Sequence, residues 1–206
     1  AHLYSLGFGV YALSSAFMAP RTVLRSVLSE MHRVVDICGE ICELGILDGQ
    51  DVFYIAKVES QDPIRIVSQV GMRLPACCTA TGKALLADFS EEDLHRLYGD
   101  TLPTVTAHSL TSFSELASQL QAIREGHLAR GLRESSREAT SYALPLRFRG
   151  SVAASISVSV PLFRMSEEKE EVVGRELRKA KSKIEALMES RGECIVPLNR
   201  SGKNIT

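Results

Sequence analysis

Three serines at alternate positions, Ser155, Ser157 and Ser159, stand in the stretch Ser151–Pro161, SVAASISVSVP. In a strand, successive side chains point to opposite faces, so the hydroxyls share one face, with Ala154, Ile156, Val158 and Val160 on the other. Such a face either meets bulk water or lines a cavity for a polar small molecule, because short hydroxyls leave room above a sheet and can both donate and accept. Periodicity alone leaves the two readings open. A second segment, 75–87 (PACCTATGKALLA), feeds small residues into an apolar helix. The first N–H groups of a helix lack intrahelical partners and attract carboxylate or phosphate, and small side chains let a ligand approach the backbone. The competing reading is a tightly packed helix start. The segment is no Walker loop, since it lacks G-x-x-x-x-G-K-[ST] and Ala84 follows Lys83.

Two thiols and several charges complete the inventory. Cys77 and Cys78 precede that helix, a setting that favours thiolate. A thiol-dependent hydrolase using Cys77 or Cys78 also needs a positioned base, and His32, His95, His108 and His127 fall in unrelated segments. Small thiols in a pocket wall are the main expectation; the hydrolase is the rival. Cys38 and Cys42 have no second ligand pair, and neither C-x-x-C nor H-x-x-x-H occurs, so no metal site and no cofactor are expected. Arg130, Arg133, Glu134, Arg137 and Glu138 read as a solvated loop, or as a loop in which one arginine faces the serines and grips a carboxylate.

The elements that must carry these groups follow from pattern. The chain has 206 residues, 45% of them hydrophobic, and a net charge of −1, which suits one globular domain with appendages. It has no basic excess for nucleic acid. No apolar run approaches the roughly 18 residues of a membrane span, and no signal segment opens the chain. It begins at Ala, which suggests a piece of a longer protein. Five irregularly spaced cysteines argue for a reducing cytosol. Leu6, Val10 and Leu13 mark a short helix, and Val23, Val27, Met31 and Val35 a second one ending near Gly39. Segments 41–47 and 52–58 read as a hairpin around Asp48-Gly49, 64–70 as a third strand and 71–75 as a loop. Helices are expected at 79–88, after Ser90, and after Ser112 up to Gly126. Strands follow at 127–133 and 141–148, then a turn at Arg149-Gly150 and the serine strand. A long helix from Ser166 to Gly192 carries the stripe Val173, Leu177, Ala180, Ile184 and Leu187 or Met188. Dominant hairpins without βαβ alternation imply an α+β fold with a mainly antiparallel sheet.

Four stretches together carry a family likeness: LYSLGFGVYALSS, ILDGQDVFYIAKVES, GMRLPACCTATGKALLADFSEED and SVAASISVSVPLFRMS. The third resembles the signature G-x-x-x-P-x-H-x-T-x-x-GKA-x-LA and is the most specific. Over about residues 3–190 the chain resembles the effector-binding domain of IclR-type transcriptional regulators. The resemblance implies a GAF-like domain, a curved antiparallel sheet flanked by helices, with no catalysis. It implies a linker-helix remnant at 1–19, an effector-binding domain at 20–191 and a flexible tail at 192–206. The implied ligand is a small organic or sugar acid between the sheet and the loop before the GKA helix. Matched by position, backbone N–H groups near Ala80 and Thr81 would hold its carboxylate, within a segment that also includes Thr79 and Gly82. Ser157, Ser159 and Ser141 would donate to it, and Leu74 would form an apolar wall. The implied protein is a cytoplasmic regulator, repressors included, that forms a homodimer or homotetramer. It would meet DNA only through a preceding winged helix-turn-helix, with no membrane partner. The sequence departs from the family in three places. Cys77 replaces the signature His, Val160 replaces a common Gly, and ARGLRESS replaces an acidic D-x-E-E segment whose ligand-facing position falls near Arg130.

Overall fold

The computed structural model describes residues 22–63, 66 and 68–195. The short helix expected at 1–19 lies outside them. Helix α1 (Thr22–Cys38) forms where its apolar stripe finds a partner: Val23, Val27, Met31 and Val34 are fully buried. Gly39, at φ +70°, ends it. Strands β1 (Ile41–Asp48) and β2 (Asp51–Val58) form the expected hairpin, closed by Gly49 and Gln50.

The strand expected at 64–70 is absent at Ile66, Ser68, Gln69 and Val70, the residues described there. The chain turns at Gly71 (φ +89°), and only then does pairing begin: Gly71 N–H donates to the Tyr54 carbonyl and Tyr54 N–H to that of Met72. The edge strand is therefore β3 (Arg73–Pro75), in the segment read as a loop. A 3-10 turn (Ala76–Cys78) leads into α2 (Ala80–Leu85), α3 (Glu91–Tyr98) and α4 (Phe113–Arg124), capped by Thr79, Ser90 and Ser112. Strands β4 (Ala129–Leu132), β5 (Ala139–Phe148) and β6 (Ser151–Pro161) follow, then α5 (Glu167–Arg191), closed by Gly192 in the left-handed region.

The six strands form one antiparallel sheet in the order β3-β2-β1-β6-β5-β4. Helices α1 and α5 cover one face through Leu44, Ile156, Val158 and Leu144. The buried Glu176 of α5 draws in Arg33 of α1, together with Arg175 and Lys179. The other face carries α2, with α3 and α4 behind it. A bulge between Leu44 and Gly45 shifts the phase of β2. Val52 and Tyr54 consequently pack toward Leu85 of α2, whereas Ala56 and Val58 join the α1 side. Ile195 is also buried in the α1–α5 core, so the segment read as a flexible tail starts with a seated residue; 196–206 lie outside the described residues.

Candidate functional site

From Ala153 onward central strand β6 is buried on both faces, so Ser155, Ser157 and Ser159 do not form a solvated face. Glycines set how closely α2 approaches them. A Cβ on Gly45 would lie 2.8 Å from Thr81 Cγ2, and one on Gly82 would lie 2.2 Å from the Ala76 carbonyl oxygen. Thr79 Oγ1 accepts the Gly82 N–H at 2.9 Å. Gly82, expected near the ligand, is thus a packing position whose N–H is already used. Thr81 Oγ1 donates to Ser157 Oγ at 2.8 Å, with Tyr54 Oη 3.5 Å from the same Thr81 oxygen. Thr81 and Ser157 therefore tie α2 to β6, and Ser157, expected to donate to the ligand, is not among the residues that line the cavity beside them.

Beside them a cavity of about 330 Å³ opens between the sheet and the segment 66–79. Leu74, Thr79, Ser141 and Ser159, four of the expected residues, line it. Ala80 is buried next to it, and the reason its backbone is reachable is Gly131. A Cβ there would come within 2.7 Å of Ser141 Oγ and 2.9 Å of Ala80 N. Ile66 and Met72 extend the apolar side begun by Leu74, and Ser135, Ser136 and Glu138 form the far wall.

Arg130 does not take part. Along β4 the inward and outward positions alternate, and Gly131 takes the inward one. Arg130 points to the other face, over the Tyr142 ring and into an ion pair with Glu170 of α5. Arg133 Nε is spent on the Arg137 carbonyl at 3.0 Å and is likewise no part of the lining.

Sequence reasoning missed Glu43, Ser68 and Tyr54. Glu43 is 3% exposed, lines the cavity and accepts from Ser159 Oγ at 3.0 Å. Burial raises its pKa, opposed by hydrogen bonds from Ser68 and Ser159 and by the charge of Lys57. The available signal was an acid in the middle of an otherwise uncharged run, residues 41–47, ICELGIL.

A second buried charge locks the surrounding loop. Lys83 of α2 has no exposure; its Nζ donates to Glu134 Oε1 at 2.7 Å and to Gln119 Oε1 at 2.8 Å. Ser109 Oγ holds the Glu134 carbonyl at 2.8 Å. Glu134 therefore pins the turn between Gly131 and Ser135, both of which line the cavity.

Other features offer less. A larger groove of about 850 Å³ runs along the outer side of β4 between α4 and α5, but it is wide open and lacks the serine face. Cys77 and Cys78 are buried with their sulfurs 3.8 Å apart. Cys78 donates to the Pro103 carbonyl at 3.1 Å. Hydrogen bonding to Cys77 lowers the Cys78 thiol to about 7, while the same contact and burial raise Cys77. Among the described residues no histidine is hydrogen-bonded to either sulfur, so the base a hydrolase needs is not supplied. No cluster of metal ligands occurs among the described residues.

Residues 17–186 match the family model for the bacterial transcriptional regulator IclR C-terminal domain. The probable transcriptional regulator SauR of Cupriavidus necator is 36% identical over 138 residues, which span 66% of this chain and 55% of that protein. The HTH-type transcriptional regulator KdgR of Escherichia coli is 30% identical over 187 residues, 90% of this chain and 71% of that one. The chain spans 55% of the length of both SauR and the Dickeya chrysanthemi KdgR. The solved C-terminal domain of E. coli KdgR superposes with a TM-score of 0.70 at 29% identity, covering 81% of this chain and 98% of that one. An IclR homolog from Microbacterium hydrocarbonoxydans complexed with 4-hydroxybenzoate gives 0.73 at 25% identity, covering 85% and 72%.

Proposed function

Because the chain belongs to the IclR family of bacterial transcriptional regulators, as its C-terminal domain, we propose that its cavity binds a small organic or sugar acid that alters DNA binding by an attached winged helix-turn-helix. The observation that carries this reading is the convergence of Ser141, Ser159 and Thr79 on one space of about 330 Å³, with the Ala80 N–H behind the lining residue Gly131. That volume lies at the small end of the roughly 300–1,000 Å³ of ligand pockets. The Ala80 N–H, approached past Gly131, suits a carboxylate; Leu74 and Met72 suit the carbon frame. A solved relative holds 4-hydroxybenzoate, itself a hydroxy acid. A net charge of −1 gives this domain no electrostatic reason to grip DNA directly. DNA would be met through the attached domain, in a homodimer or homotetramer, in the cytoplasm. No helix among the described residues is long and apolar enough to cross a membrane. Ligand control requires unequal affinity for two arrangements of the assembly.

A thermal-shift screen of the chain against sugar acids, keto acids and aromatic acids tests the reading. A ligand raises the melting temperature by mass action; no shift with any acid at millimolar concentration overturns it. With a hit in hand, Gly131→Ala should weaken binding at least about tenfold, roughly 1.4 kcal/mol, because the added methyl fills the space beside Ser141 Oγ and Ala80 N. Calorimetric titration reads the loss, and unchanged affinity would place the ligand elsewhere.

A further inference from the structure

The cavity's charge is one-sided. Glu43 lies on the sheet floor, and Glu138 lines the same space. No lysine, arginine or histidine does so among the described residues. Glu43 is almost wholly removed from water, yet its contacts are hydroxyls, Ser159 and Ser68, rather than a cation. Lys57, whose charge acts on Glu43, stands opposite it in the β1–β2 register. Its Nζ is committed to Glu59 Oε1 at 2.6 Å and to the Ser68 carbonyl at 2.5 Å. A carboxylate held dry without a cationic partner is costly, and the same low-dielectric surroundings strengthen its attraction for a cation that enters.

We propose that the effector carries a protonated amine that completes the ion pair with Glu43, which makes Glu43 the residue that selects amino compounds over their hydroxy counterparts. Ser159 and Ser68 hold the carboxylate of Glu43, which lines the cavity. The ammonium supplies three donors, and the wall offers the Glu43 and Glu138 carboxylates and several hydroxyls that can accept them; a charge-assisted bond of this kind is about twice as strong as a neutral one. The inference rests on the reading of this cavity as the effector site. It narrows the ligand class to amino acids and amino sugar acids, or to amines alone if the acid group proves dispensable.

The test pairs compounds of one carbon frame: L-alanine with L-lactate, L-serine with D-glycerate, β-alanine with 3-hydroxypropionate, and glucosaminic with gluconic acid. Ethanolamine and glucosamine serve as amines without an acid group. Affinities come from calorimetric titration of the chain at pH 7. The amino member of at least one pair should bind about tenfold tighter or better. Glu43→Gln, which keeps the shape, should erase that ratio while the melting curve stays cooperative. Ser159→Ala, a second route should Glu43→Gln fold poorly, should reduce the ratio without abolishing it. Hydroxy acids binding as well as their amino partners in every pair, or a ratio unmoved by Glu43→Gln, overturn the proposal. Binding of ethanolamine or glucosamine that is lost in Glu43→Gln, with no acid bound, sustains it while removing the organic-acid reading. Binding by no amine at all sinks it.

Discussion

Gly82→Ala should destabilise the domain by about 3 kcal/mol or more, a value in the range reserved for severe core defects. The added Cβ would lie 2.2 Å from the oxygen and 2.3 Å from the Cα of Ala76. Both are backbone atoms of the 3-10 turn, so no side-chain rotation relieves the overlap. Nor can α2 recoil from the turn. Thr81 ties it to Ser157 on β6, and Lys83 ties its far side to Glu134 and Gln119. Urea denaturation would register the loss as a lower midpoint at similar slope. A midpoint within experimental error of the parent would mean the turn yields, and the rigid account of this wall would fail.

Lys83→Met should cost about 3–5 kcal/mol, the usual consequence of stranding one member of a buried ion pair. Glu134 would be left with Thr106 and Ser109 on its backbone carbonyl but no cation on its carboxylate, whose Oε2 already has no partner. Burial raises the Glu134 pKa, against the pull of Lys83. Without Lys83 it should rise further. A group whose folded pKa exceeds its unfolded value binds more protons when folded, so the variant should regain stability as the pH falls toward the ordinary carboxylate range. Lys83→Met combined with Glu134→Leu removes both charges and should recover much of the loss, giving a strongly non-additive cycle. A double variant as unstable as the sum of its parts would mean that the two side chains are uncoupled, and the stranded-charge account of Lys83 and Glu134 would fail.

Helices α1 and α5 were readable because each has one apolar stripe with a glycine after it, and the core they share needs nothing else. The serine face was readable as a face, but its fate depended on α2, which lies 70 or so positions away in the chain and so leaves no local trace. The edge strand was misplaced because 64–70 has strand-like composition while the decisive event, the turn at Gly71, follows it. Arg130 drew attention through its charge, although the inward position beside it belongs to Gly131, whose contribution is space rather than a functional group. Glu43 and the Lys83–Glu134 pair depend on burial and on partners distant in sequence. A periodic reading has no means of registering either.

The bulge at Leu44/Gly45 and the two buried faces of β6 have a joint mechanical effect. Ser159 borders the cavity while its neighbours Val158 and Val160 sit in the core beneath α1 and α5. Only one strand's thickness separates an occupant of the cavity from the helical layer opposite. An occupant that displaced Ser159 would therefore press on the core beneath α1 and α5 through a single strand.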